Sequence, residues 1–202
     1  MWNAALALGS APQPRGQDIT KAKKRLLKYG TGGLTMSKAV LVSIRPEWVN
    51  RIISGEKTVE IRKNRPNLKT PYKCYIYMTK QRKPFTIRTS GRRYDGRIVA
   101  EFICDSVKCI VEEQFVVKED AEKALEGSLM TINQAKNYAK WKNGTPHYEC
   151  KDLYGWHISN LKIYDTPREL SKFTGLRTGL GSIELRVLER PPQSWCYVEE
   201  LK

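Results

Sequence analysis

Among its 202 residues the chain has only two histidines and an odd number of cysteines, five, with no CxxC pair. His147, Cys150 and His157 come close together in "HYECKDLYGWH". A zinc site needs a fourth ligand at a recognisable spacing, and the sequence offers none, so no metal and no cofactor are expected. The cysteines read as reduced, mostly buried thiols. No apolar run approaches the roughly 18–20 residues that cross a bilayer, which excludes a spanning helix and points away from a membrane partner. The short apolar patch near the start has no basic residues before it, so no export signal is read and the expected compartment is cytoplasmic. There is no internal repeat. "GLRTGLGS" (175–182) lacks the GxxxxGK[ST] form of a phosphate loop and reads as a plain loop.

Acidic residues are scarce in the first half of the chain. The net charge is +15, and all of the excess lies before residue 98. Residues 1–35 carry six Lys/Arg against one Asp, and residues 45–97 carry fifteen against four acids. The remainder, 98–202, has fourteen Lys/Arg against sixteen acids. One-sided clustering on this scale points to a polyanion, most often nucleic acid, because solubility alone does not require it.

Residues 1–35 read as a separable basic tail or extension, with "GSAPQPRG" and "TGGLT" as flexible joints around a short basic helix. The regular pattern begins at Met36, and 36–202 suits a single domain. "KAVLVSIR" is a strand, and "PEWVNRIISG" is a helix with Pro at its first turn and Gly at its end. "KTVEIR" alternates, with Val59 and Ile61 on one face and Thr58, Glu60 and Arg62 on the other. "YKCYIYMT" is a second strong strand. Residues 80–97 form a basic segment that reads as a hairpin insertion at its "TSGRRYDG" tip. "RIVAEFICDSVKCI" reads as one long strand and "GWHISNLKIYD" as another. A helical insertion is expected near 119–141, where Thr131 and Gln134 make a capping box and Ile132, Ala135, Tyr138 and Ala139 an apolar stripe. "SIELRVL" and "RPPQSWCYV" close the chain. Strands in a meander with helices between them argue an α+β fold with a small, strongly curved sheet or barrel.

Gly55, Lys57, Glu60 and Arg62 fit the pattern GxKxxExR. With "SIRPEWVNRIISG" before it, "GRIVAEF" on the following strand, "GWHISNLKIYD" downstream and "RPPQSWCYV" at the end, the chain from Met36 to about Val198 resembles the ASCH family of the PUA-like superfamily, in its bacterial and phage forms. The resemblance implies a PUA-like β-barrel of about five to six strands, with helices around its mouth and a cleft that admits nucleic acid or a nucleoside. It turns Val59 and Ile61 into the barrel and Glu60 and Arg62 toward the cleft. Lys57, three residues before Glu60, reaches the same site only from the turn after Gly55.

In such a cleft Lys57 can contact phosphate or a base carbonyl. Glu60 can accept from a base amino edge, or tie down Lys57 and Arg62. Arg62 can bind phosphate through both arms of its fork or stack on a base. Arg45, Arg65, Arg88, Arg92 and Arg93 extend the expected binding surface. Trp48, Trp156 and Trp195 are candidates for base stacking, with core packing the alternative for each and the favoured one for Trp48. The alternative for Lys57, Glu60 and Arg62 is a structural ion-pair network at the barrel mouth.

These readings favour a monomeric nucleic-acid binder, with RNA preferred to DNA. A small hydrolase acting on a modified nucleoside is the alternative. Some ASCH proteins resemble acetylcytidine amidohydrolases, which pair a Lys and a Thr on this strand with a distant Glu. Here Glu60 stands where that Thr would be, and Thr58 lies two positions earlier; an enzyme of this kind would use Lys57, Glu60 and Thr58. A ribonuclease is a further ASCH-type activity, but neither histidine has an acid–base partner evident in the sequence.

Overall fold

The computed structural model describes residues 37–81, 94–141, 151–179 and 182–201. The tail 1–35, most of the hairpin expected at 80–97 with Arg88, Arg92 and Arg93, and the pair His147 and Cys150 lie outside the described residues.

The first strand, β1 (Lys38–Ile44), is buried from Ala39 to Ile44 because both of its faces are covered. Val40, Val42 and Ile44 point into one core layer, and Ala39 and Leu41 into another. Helix α1 (Pro46–Ile53) starts on its proline and buries Val49 and Ile52 on the first of these layers. Gly55 follows with φ at +77°, a conformation that suits glycine. Next come β2 (Val59–Arg62), β3 (Tyr72–Met78), β4 (Arg97–Cys104) and β5 (Val107–Ile110). Helices α2 (Lys118–Leu125) and α3 (Ile132–Ala139) occupy the stretch where sequence pattern placed two short helices. At α3 the Thr131 and Gln134 side chains cap each other's backbone N–H groups. Strands β6 (Leu153–His157), β7 (Ser159–Arg168), β8 (Thr174–Gly179), β9 (Ser182–Val187) and β10 (Trp195–Glu199) complete the order. None of the described helices is long and apolar enough to cross a membrane.

The strands form two sheets rather than one closed barrel. A seven-stranded sheet runs β7-β4-β3-β1-β10-β8-β9, and a three-stranded sheet runs β2-β6-β5. The β1–β3 pairing is parallel and the other pairings are antiparallel. The fold is therefore mixed α+β, but the described ladder stays open, which corrects the expected barrel. The reason lies in two segments that each read as one long strand. Residues 97–110 break at Asp105–Ser106, so β4 stays in the large sheet while β5 joins the small one. Residues 153–168 break at Ile158, so β6 and β7 divide in the same way. The two breaks meet: Asp105 Oδ1 lies 2.6 Å from His157 Nδ1, and the His157 N–H donates to the Ser106 carbonyl. This pairing also gives His157 an acid partner that its sequence position does not reveal.

The space between the sheets holds the largest core layer, with Ile76, Met78, Val99, Phe102 and Trp156. On the far side of the small sheet, Ile61 packs with Ile110, Phe115, Leu153 and Trp141 beneath the helices. Glu60 is paired with Trp156 across β2 and β6, and Arg62 with Tyr154. Strand alternation thus sends Ile61 to the helices and Glu60 and Arg62 toward the large sheet.

Candidate functional site

At the carboxyl ends of the parallel strands β1 and β3 the two sheets part into a cleft of about 480 Å³. Ser43, Ile44 and Arg45 from the end of β1, with Thr79 after β3, form one wall. Trp48 comes from α1, Lys57, Glu60 and Arg62 form the floor, and Met130, Gln134 and Tyr138 close it from the α3 side.

The floor is charged and nearly dry. Lys57 is 4% exposed, Glu60 7% and Arg62 9%. Lys57 precedes β2, on the turn after Gly55, which is the position from which it can share a site with Glu60. Its backbone N–H donates to the Arg51 carbonyl at the end of α1. Its ammonium donates to the carbonyls of Val59 and Ser128, both at 2.7 Å, and lies 3.4 Å from Glu60 Oε2. An ammonium has three protons, and these partners use all three. The group also sits 5.2 Å from the centre of the Trp48 ring. Burial holds the Lys57 pKa below the ordinary lysine value; Glu60 opposes the shift and Arg62 adds to it.

Glu60 joins the two cations. Its Oε1 lies 2.9 Å from Arg62 Nη2 in an ion pair. The same nitrogen donates to the Ser43 carbonyl at 2.7 Å, and Nη1 donates to Ser194 Oγ at 3.3 Å. Arg62 thereby ties β2 to β1 and to the approach to β10. Its Nε is buried and has no hydrogen-bond partner. An unmet buried donor costs about 1–3 kcal/mol.

The stretch 127–128 fixes the lysine from the other side. Gly127 accepts from the N–H groups of Thr58 and Val59, and the next carbonyl, Ser128, accepts from the Lys57 ammonium. Gly127 has φ at +71°, and a Cβ there would lie 2.3 Å from Thr58 Oγ1. The backbone approach that places Lys57 therefore requires glycine.

Lys57, Glu60, Arg62 and Arg45 come together at this cleft. The Arg45 side chain is exposed at the rim, 4.0 Å from Glu47. Arg65 does not line the cleft; its guanidinium lies 5.8 Å from the Tyr154 ring centre. Trp156 is fully buried, edge-on to Tyr72 and to Trp195 at 6.4 and 6.0 Å, so it is a core side chain and not a stacking surface for a base. Trp195 is half-buried against Trp156 and Tyr197 and does not line the cleft. Thr58 is exposed beside Gly127 and outside the cleft, so it does not complete a Lys–Thr catalytic pair with Lys57. Trp48, expected in the core, packs half-buried against it and also lines the cleft. Tyr138 and Gln134 also reach it, although their sequence roles were an apolar stripe and a cap. Among the described residues no cluster of three His, Cys, Asp or Glu side chains could hold a metal ion.

The ASCH domain model matches residues 42–161, which contain the cleft floor, α1 and the α3 wall. No curated protein matched the sequence. Among solved structures, the ASCH protein from Zymomonas mobilis is 16% identical and aligns over 80% of this chain and 88% of its own, with a TM-score of 0.51. Two single-substitution variants of it give 0.53 at 14% identity and 0.51 at 16%, covering 89% and 91% of their chains. At this identity the likeness is one of fold. The family match spans more than half of the sequence, and the chain belongs to the ASCH domain family.

Proposed function

We propose that the protein binds nucleic acid, RNA in preference to DNA, and that an unpaired base enters the cleft above Lys57, Glu60 and Arg62. The observation that carries this reading is the cleft floor. The cleft is a shaped, half-open space whose floor carries a fixed, nearly buried carboxylate beside a buried guanidinium. A carboxylate accepts from amino or imino edges of bases, which is the contact a base in the cleft would make with Glu60. Trp48 and Tyr138 offer aromatic faces next to that floor, as recognition of unstacked RNA bases requires. The excess positive charge before residue 98 supplies the long-range attraction. Preference for RNA rests on the family resemblance.

Lys57 acts here as a brace. Its protons are already committed, so it holds the Glu60 carboxylate and the 127–128 backbone in place.

A hydrolase acting on a modified nucleoside is the second reading. It is favoured by the lowered pKa of Lys57 beside Glu60, an amine–carboxylate pair of the kind that moves protons. The placement of Thr58 outside the cleft weighs against it.

The test is to titrate the full chain with labelled single-stranded RNA and DNA, and to incubate it with a panel of modified nucleosides followed by mass spectrometry. RNA bound more tightly than DNA, with no product, supports the binding reading. Turnover of a nucleoside that stops in Glu60→Gln would replace it with the hydrolase.

A further inference from the structure

A second cleft, of about 600 Å³, opens at the other end of β1 and β3. Lys38, at the start of β1, and Lys69 and Lys73, flanking the start of β3, line it. Four residues of β1, Ala39 to Val42, separate Lys38 from Ser43 at the first cleft, roughly 17 Å at 3.3 Å per residue. The loop 63–71 joins the two. It leaves the floor of the first cleft directly after Arg62, and Leu68, Lys69 and Pro71 bring it to the second.

This loop and its ends carry no acid. From Ile61 to Tyr94 the sequence has no Asp or Glu. Along the way the cations stand over aromatic rings: Lys63 Nζ lies 4.5 Å from the Tyr138 ring centre, and Arg65 lies 5.8 Å from that of Tyr154. Lys73 is paired with Glu200 at 3.0 Å. Among the described residues Lys38, Lys63, Arg65 and Lys69 have no carboxylate partner. Lys63 and Arg65 over half-buried tyrosines along the loop, and Lys38 and Lys69 in the second cleft beside the Lys73–Glu200 pair, have the character of a backbone track for a single strand.

Resting on the reading of the first cleft as a base site, we propose that single-stranded RNA runs from that cleft along the loop 63–71 to the lysine cleft of Lys38 and Lys69, where its phosphates are held without regard to sequence. The bound strand is then longer than the one base the first cleft admits. The parts divide the work. The buried carboxylate and guanidinium read the base, and the exposed cations bind phosphates and set the register.

The experiment measures fluorescence anisotropy on the full chain with a labelled single-stranded RNA of about 12 nucleotides, within the roughly 4–16 that such sites occupy. A dinucleotide serves as the short probe. The variant is Lys38→Gln/Lys69→Gln, in which two exposed side chains change and the fold is checked by thermal melting. For the longer RNA, the slope of log affinity against log salt should become shallower by about 1.4, two phosphates at about 0.7 each for a single strand. Dinucleotide binding should be unchanged. If the wild-type protein binds RNA, loses its base preference in Glu60→Gln, and keeps its full salt slope in the lysine variant, the track is wrong and the base site stands. An equal loss for both probes would place the lysines' effect in the first cleft and also overturn the track. A loss confined to duplex RNA would overturn the single-stranded path. Failure of the wild-type chain to bind any RNA would remove both readings together.

Discussion

The two clefts are built from the same residue types and handle them in opposite ways. In the first, Lys57, Glu60 and Arg62 are more than nine-tenths buried and locked by backbone carbonyls, a serine hydroxyl and each other. In the second, Lys38 and Lys69 are exposed, and Lys73 pairs with Glu200, which lines the same cleft. Burial raises the cost of leaving any charge unmet, so the first cleft can hold a ligand edge in one geometry. Exposure leaves charges screened and mobile, so the second can attract an anion without selecting it. Position and attraction are thus separated within one sheet's length. Substitutions in the two places should fail in different ways.

The sharpest way to break the comparison is Glu60→Ala. It leaves two buried cations facing each other, and loss of one partner of a buried ion pair costs about 3–5 kcal/mol. Chemical denaturation should show a loss of this order. A change no larger than that of an exposed lysine substitution would mean that the floor is not the locked network described.

Trp48→Ala comes next. If the indole stacks on a base, affinity for single-stranded RNA should fall by about 1–3 kcal/mol, with the salt slope retained. A change of slope with little loss at low salt would assign Trp48 to folding of the rim instead.

The buried lysine gives a pH signature. The folded-state pKa of Lys57 lies below its unfolded value, chiefly through burial. In the window between them the unfolded chain binds more protons, so Lys57 makes stability rise with pH up to the unfolded value near 10.4. Urea unfolding of the wild type should therefore steepen upward with pH relative to Lys57→Met, whose curve lacks this contribution. Parallel curves would contradict the account of the floor.

Much of the floor was legible because Gly55, Lys57, Glu60 and Arg62 fall at fixed spacing on an alternating strand. The turn position of Lys57 followed from that spacing once the family resemblance put Lys57 and Glu60 in one site. The walls were not legible. Tyr138 and Gln134 sit in a regular helix pattern, and nothing local says that α3 lies against a cleft. Trp156 looked like an exposed stacking residue beside a glycine. Its burial depends on pairing with Glu60 across β2 and β6 and on a second sheet above, which are facts of register. The sheet switches at Asp105–Ser106 and Ile158 carry no Gly or Pro to announce them. β-branched and aromatic residues on both sides of each switch concealed the division that keeps the described ladder open.

The smallest effect is expected at that switch. The hydrogen bond to His157 holds the Asp105 carboxyl below the usual aspartate range, with help from Ser159. Its contribution is present above the ordinary aspartate pKa and is lost as pH falls through the folded-state value. The pair is exposed, so Asp105→Asn should cost less than about 1 kcal/mol near neutral pH. RNA affinity should be unchanged, since neither residue lines either cleft. A large effect on binding would move the recognition surface to the sheet switch.

The central claim, that a fixed carboxylate in the first cleft reads a base, is tested most directly by base preference in Glu60→Gln. Binding of the four homopolymeric single-stranded RNAs should be compared between wild type and variant at fixed salt, alongside thermal melting. The account predicts a changed order of preference among the four, with overall affinity held or raised as a negative charge is lost. An unaltered order of preference, with a melting temperature several degrees lower, would contradict it and leave Lys57, Glu60 and Arg62 as a purely structural brace.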